Sequence, residues 1–247
     1  MRKKVLMTEF TQPGPLALVG SGEYLAHMMP LEAQLLRGRA PRYVQLATAS
    51  VPDGPDVVAR WHRLGREQAA RLDVEAVIVP VNDRDDADSE ALASMIDGAG
   101  LIYLSGGNPS FLADTLRDTK VWAAIEGAWR SGSALAGCSA GAMALTSWVP
   151  SLRHPRGGGT AGLGLLTHLR VIPHFDAFIA RMPDVVTQFL VPSNEDTTLL
   201  GIDEDTAIVG GPEEWAVWGR QSVWRLHDGT RDELTGGTTF RTAAPAT

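Results

Sequence analysis

Five brief apolar runs punctuate the first 140 residues: LALVG near residue 18, YVQLAT near 45, EAVIVPV near 78, LIYLSG near 103 and ALAGC near 136. Each is bounded by Gly, Pro, Ser or Asp, the pattern of strands covered on both faces. Between them the apolar period lengthens to that of a helix. Val57, Val58, Trp61 and Leu64 recur at three-to-four spacing, as do Leu112, Leu116, Val121, Ile125 and Trp129 around a break near Thr119. Pro55 and Pro109 stand where the first turn of a helix tolerates proline. Strands alternating with helices imply an α/β fold, with a mostly parallel central sheet, right-handed crossovers and helices on both faces. Ligands of such sheets collect beyond the carboxyl ends of the strands, so chemistry is expected just after each apolar run.

The pattern changes after residue 199. TTLLGID, TAIVGG, WAVWG, SVWRLHD and TTFRT resemble short strands joined by tight turns. The expectation is an antiparallel extension of the same sheet over about residues 199–240. No linker interrupts the chain, and one domain is expected over residues 1–247, with TAAPAT as a frayed tail.

Composition narrows the function classes. A net charge of -7 argues against a surface that grips nucleic acid, which needs clustered Lys and Arg. The start, MRKKVLM, is basic like a signal peptide, but Glu9, Gln12, Pro13 and Gly14 interrupt any apolar run behind it. No stretch approaches the roughly 18 apolar residues of a membrane span. One cysteine cannot close an internal disulfide, and the combination suits a soluble protein of the cytoplasm.

The densest chemical signal is Gly137-Cys138-Ser139-Ala140-Gly141. It fits G-x-S-x-G, in which a sharp strand-to-helix turn lifts one side chain above the sheet. Ser139 is the apex, and the Ala140 N–H, in the first helical turn, is available to an oxyanion. Cys138 lies one position earlier, at the strand end, where its side chain is expected to point into packing. A second strand, glycine pair and helix start occur in LIYLSGGNPSFL. If the strands near 103 and 136 are neighbours, the backbone N–H of Gly107 or Asn108 can supply a second oxyanion donor. Of the six histidines, His174 in RVIPHF follows a β-branched run and so lies at a strand's carboxyl end. LLGIDEDTAIV offers Asp203, Glu204 and Asp205 as carboxylates to orient an imidazole. The order serine, histidine, acid differs from that of α/β-hydrolases. Neither paired histidines nor a second cysteine suggests a metal site, and no cofactor is expected.

Together these segments resemble the peptidase E and cyanophycinase group of serine peptidases, whose sheet is related to that of class I glutamine amidotransferases. SGGNPSFL, GCSAGA, VIPHF, LLGIDED and VGGPEEW match peptidase E in order from about residue 100 to 218. The resemblance implies Ser139 as nucleophile, His174 as base, Glu204 as the orienting acid, and Gly107 and Ala140 as oxyanion donors. It also implies hydrolysis of short Asp-containing peptides through an acyl-enzyme. Asn108, Arg153, Arg156 and Arg181 are candidates to bind such a substrate, and a homodimer is expected because relatives are often dimeric. One departure bears on specificity. Peptidase E carries an aspartate in a Thr-rich loop between elbow and histidine, whereas no acidic residue occurs here from Ser139 through Phe175. Three alternatives stay open: a β-aspartyl peptidase like cyanophycinase, an amidase using Cys138, and a binding protein that keeps the elbow only as scaffold.

Overall fold

The computed structural model describes residues 12–150, 158–179, 197–227 and 230–243, with residues 178 and 179 described by their backbone only. The first half of the chain runs β1 (Leu16–Val19), α1 (Met29–Leu36), β2 (Arg42–Leu46), α2 (Pro55–Arg71), β3 (Glu75–Ile78), α3 (Arg84–Ala87), α4 (Glu90–Ser94), β4 (Leu101–Leu104), α5 (Pro109–Leu116), α6 (Lys120–Arg130), β5 (Ala134–Cys138) and α7 (Ala140–Ala144). There follow the paired strands β6 (Trp148–Pro150) and β7 (Gly159–Ala161), then β8 (Leu169–Pro173) and α8 (Phe175–Ile179). The chain ends in β9 (Thr198–Ile202), β10 (Thr206–Gly210), β11 (Glu214–Gly219), β12 (Val223–His227), β13 (Thr230–Leu234) and β14 (Thr239–Arg241).

Eight strands form the main sheet in the order β14-β11-β10-β1-β5-β4-β2-β3. The five strands read from the sequence are its parallel part, and β10, β11 and β14 extend it antiparallel beyond β1. Because successive side chains of a strand point to opposite faces, these short runs feed two cores. Leu16, Leu18, Val44, Leu46, Ile102, Leu104 and Leu135 enter one. Ala17, Val19, Tyr43, Leu101, Tyr103, Ala134, Ala136 and Cys138 enter the other. That is why the runs are continuously apolar rather than alternating. Each fully buried Leu, Ile or Val contributes about 1.5–3 kcal/mol.

The helices divide between these faces. Leu31 and Leu35 of α1 and Ala69 of α2 cover the second core, while Leu112 and Leu116 of α5 and Val121, Ile125 and Trp129 of α6 cover the first. Thr119, where the helical pattern breaks, is the N-cap of α6 and accepts from Trp122 N–H. One feature of the C-terminal region is finer than the sequence suggests. Strands β8, β9, β12 and β13 leave the main sheet and form a separate four-stranded sheet in the order β13-β12-β9-β8. Its Leu169, Val171, Leu200, Ile202 and Val223 pack into the same core as the first face of the main sheet. Short alternating strands carry no label for the sheet they join, and here pairing partners decide it.

Candidate active site

The central strands bring three turns together at one edge. β5 lies between β1 and β4, so the segments after Val19, Leu104 and Cys138 emerge side by side at the strands' carboxyl ends. Ser139 takes φ 50° and ψ −106° between β5 and α7, a backbone region that non-glycine residues rarely occupy and that recurs at functional sites. Packing enforces this geometry. A Cβ at Gly137 would lie 2.5 Å from the Gly141 carbonyl carbon, and one at Gly141 would overlap the Leu104 carbonyl oxygen. Only glycine permits the helix to start so close to the strand.

Cys138 points the other way. It is 0% exposed among the residues of the second core, and its Sγ lies 2.9 Å from Glu23 Oε2. Burial, reinforced by the neighbouring Glu23 carboxylate, holds its thiol pKa well above the usual cysteine range. The thiol is therefore protonated and enclosed, the opposite of a nucleophilic cysteine.

His174 follows β8 and Glu204 follows β9. The two strands are parallel with Pro173 opposite Ile202, so residues just past their ends are neighbours. Gly201 makes room for this corner, since a Cβ there would collide with the Phe175 ring. β10 pairs with β1, and Gly20 N–H donates to the Thr206 carbonyl at 2.8 Å. The acidic turn is thereby pressed against the carboxyl end of β1, beside the elbow. As a result, His174 Nε2 lies 3.0 Å from Ser139 Oγ and its Nδ1 lies 2.8 Å from Glu204 Oε1. His174, like Ser139, has a positive φ, 51°.

Polar groups around the pair fix it in turn. Asp176 Oδ1 accepts from Glu204 N–H at 3.0 Å, and Gln221 Nε2 donates to both Asp176 Oδ2 and the Glu204 carbonyl at 3.1 Å. Of the other two acids in the turn, Asp203 is buried and accepts from Trp224 Nε1 and Ser222 N–H, while Asp205 lies 3.1 Å from His27 Nε2. The three acids thus face three different partners, and only Glu204 meets His174.

In the loop after β4, Gly107 has φ 140° and is pressed against the Ala49 carbonyl. Its N–H donates to no described residue. Asn108 is the N-cap of α5, its Oδ1 accepting from Phe111 N–H at 3.0 Å and its own N–H donating to Ala49 at 2.7 Å. That N–H is therefore committed, whereas the Gly107 N–H is not. The structure brings Ser139, His174 and Glu204 into one hydrogen-bonded chain, flanked by Ala140 and the Gly107 loop. Arg153, Arg156 and Arg181 lie outside the described residues. Glu23, Asp176 and Gln221 escaped the sequence reading. Glu23 alone had a signal there, since GSGEY directly follows the β1 run. Among the described residues no group of three or more His, Cys, Asp or Glu side chains could hold a metal ion, and no helix is long and apolar enough to cross a membrane.

Comparison with known proteins places the chain in a family. Residues 16–215 match peptidase family S51. A peptidase from an acI-B1 Actinobacterium, known from its crystal structure, is 40% identical, with a TM-score of 0.86 over 94% of this chain and 98% of its own. A candidate peptidase E protein from Listeria monocytogenes EGD-e, also a crystal structure, shares the fold at 17% identity. Its TM-score is 0.60, covering 85% of this chain and 100% of its own. No curated protein matches the chain. The chain therefore belongs to peptidase family S51, the peptidase E family, and is by that membership a serine-type peptidase.

Proposed function

We propose that Ser139, His174 and Glu204 form a catalytic triad that hydrolyses short, Asp-containing peptides through an acyl-enzyme. The observation that carries this is the unbroken chain Glu204 Oε1 to His174 to Ser139 Oγ, at 2.8 and 3.0 Å, ending on a serine held in a strained elbow. Glu204 accepts a hydrogen bond from Nδ1–H and so holds the imidazole in the tautomer whose Nε2 is free to act as base. Nε2 takes the Ser139 hydroxyl proton as Oγ attacks the scissile carbonyl. The charge that develops on the carbonyl oxygen is met by the N–H groups of Ala140 and Gly107, each such donor contributing roughly 2.7–4 kcal/mol in comparable sites. His174 then protonates the departing amine. Water, activated by the same nitrogen, hydrolyses the ester and restores Ser139.

The preference for Asp-containing peptides rests on the family resemblance. Profiling the purified protein against a dipeptide library that includes Asp-X and β-aspartyl peptides tests it. Ser139→Ala is expected to abolish turnover, a loss of about 10⁴-fold or more, and to end labelling by a fluorophosphonate. Cys138→Ser keeps turnover, because a hydroxyl replaces the thiol as a buried donor. An active Ser139→Ala protein beside a dead Cys138→Ser protein overturns the assignment.

A further inference from the structure

The ladder between β4 and β5 ends at the pair Leu104 and Gly137. Beyond it the two strands turn to opposite neighbours. Ser105 N–H donates to the Leu46 carbonyl of β2, and Ser139 N–H to the Val19 carbonyl of β1. The gap that opens between them separates the Gly107 loop from the elbow, the two backbone segments whose spacing sets where an oxyanion can sit.

One side chain spans this gap. Glu23, in the loop after β1, accepts Gly106 N–H on Oε1 at 3.1 Å and the Cys138 thiol on Oε2 at 2.9 Å. Gly106 immediately precedes Gly107, and Cys138 immediately precedes Ser139. A Cβ at Gly106 would lie 2.9 Å from Glu23 Oε1 and 3.6 Å from Ser139 Cβ, so the carboxylate and the nucleophile border the same space. On its far side the loop is pinned by Asn108 N–H donating to the Ala49 carbonyl. Gly107 N–H is left between these two fixed points. The raised thiol pKa fits the arrangement, because only the protonated thiol can donate.

We infer that Glu23 is a positioning residue, which clamps the Gly107 loop to the nucleophile strand and sets the width of the oxyanion site. This rests on the triad and oxyanion assignment above. It also gives the chain's single cysteine a task. Cys138 is a buried donor to the clamp, a role that needs a small side chain able to sit in an apolar core and still offer a hydrogen.

A misplaced donor weakens transition-state binding more than ground-state binding. Glu23→Ala is therefore expected to lower kcat by about 10-fold to 100-fold, less than outright removal of a donor, with KM within about 3-fold. Glu23→Gln keeps an acceptor for Gly106 and turns its amide toward the sulfur, so it should recover most of kcat. Cys138→Ala should lower kcat several-fold and add little to Glu23→Ala, since the two share one interaction. A second readout is specific to the oxyanion site. Affinity for a peptidyl boronic acid, which is tetrahedral when bound, should fall with kcat, while affinity for a product peptide stays level. If Glu23→Ala fails to fold, Glu23→Gln and Cys138→Ala carry the test through the boronic acid affinity alone.

Wild-type kcat in Glu23→Ala overturns the inference. So does a loss confined to KM in both the Ala and Gln variants, which would mean that the carboxylate contacts substrate. Fluorophosphonate labelling of the wild type separates the two levels. A wild type unlabelled at Ser139 removes the triad and this inference with it, whereas a labelled wild type with an unaffected Glu23→Ala variant removes the clamp alone.

Discussion

Ser139 stands at the end of a strand enclosed by β1, β4 and α7, whereas the side chains of His174 and Glu204 are 42% and 44% exposed. Ser139 is placed by close packing. Glycines 137 and 141 leave no room for any other path, and the strained backbone is paid for by a buried core. Glu204 is placed instead by hydrogen bonds at the rim, through Asp176 and Gln221, and His174 is held in turn by Glu204. A packed element tolerates little change of volume, while a rim of hydrogen bonds tolerates change at the cost of precision. Mutations on the two sides should therefore fail differently, the elbow through stability and the rim through catalysis.

Glu204→Gln is the sharpest probe of the rim. An amide can donate to Nδ1 and favour the tautomer that cannot accept the Ser139 proton. The pair is half-exposed, so kcat/KM should fall by about 10²-fold to 10³-fold, with the melting temperature nearly unchanged. A large loss of stability in this variant would erase the distinction.

Gly141→Ala probes the elbow. The new Cβ would overlap the Leu104 carbonyl oxygen, which belongs to backbone and cannot step aside. Urea unfolding should show a loss of roughly 2–4 kcal/mol. Gly38 shows how much of this is steric. It has φ +75° but no atom within 4 Å of an added Cβ, so Gly38→Ala should cost about 1 kcal/mol.

The packed side also has a polar weakness. Glu32, 1% exposed in α1, closes no well-formed hydrogen bond, although Gln68 and Tyr43 are its polar neighbours. Burial raises its pKa from 4.5 to about 7, and Glu23 adds to the rise while Gln68, Tyr43 and Arg71 oppose it. Between those two values the folded protein binds more protons than the unfolded chain, so this group's contribution to stability falls as pH rises. The decline should be on the order of 3 kcal/mol from pH 4.5 to 7. Glu32→Gln should flatten it in denaturation curves taken across that range. An unchanged pH slope would place the titrating group elsewhere.

Gln221→Ala should have the smallest effect. It releases Asp176 Oδ2 and the Glu204 carbonyl, both near solvent, where water substitutes at little cost. A drop of about 3-fold in kcat, without change in melting temperature, is expected.

The parallel sheet was legible in the chain because a strand buried on both faces has to be apolar throughout, and LALV, LIYL and ALAGC are. The elbow was legible because its geometry demands glycine at residues 137 and 141. His174 could be read from the strand before it. Glu204 could be told from Asp203 and Asp205 only through the family resemblance, because all three are acids in one turn. Tertiary contacts show the difference: Asp203 turns inward to Trp224, Asp205 toward His27, and Glu204 toward His174.

What the sequence by itself determined is what local sterics and burial dictate, namely the βα order, the sharp turn at Ser139 and the inward-facing Cys138. What only the tertiary structure decided is which distant segments meet. Placing β1 between β5 and β10 sets Glu23 beside Cys138, 115 residues away, and presses the 203–205 turn against the elbow. Splitting β9 from β10 into separate sheets aims Glu204 at His174. Strand order is a property of pairing across the whole chain, and no single stretch of residues encodes it.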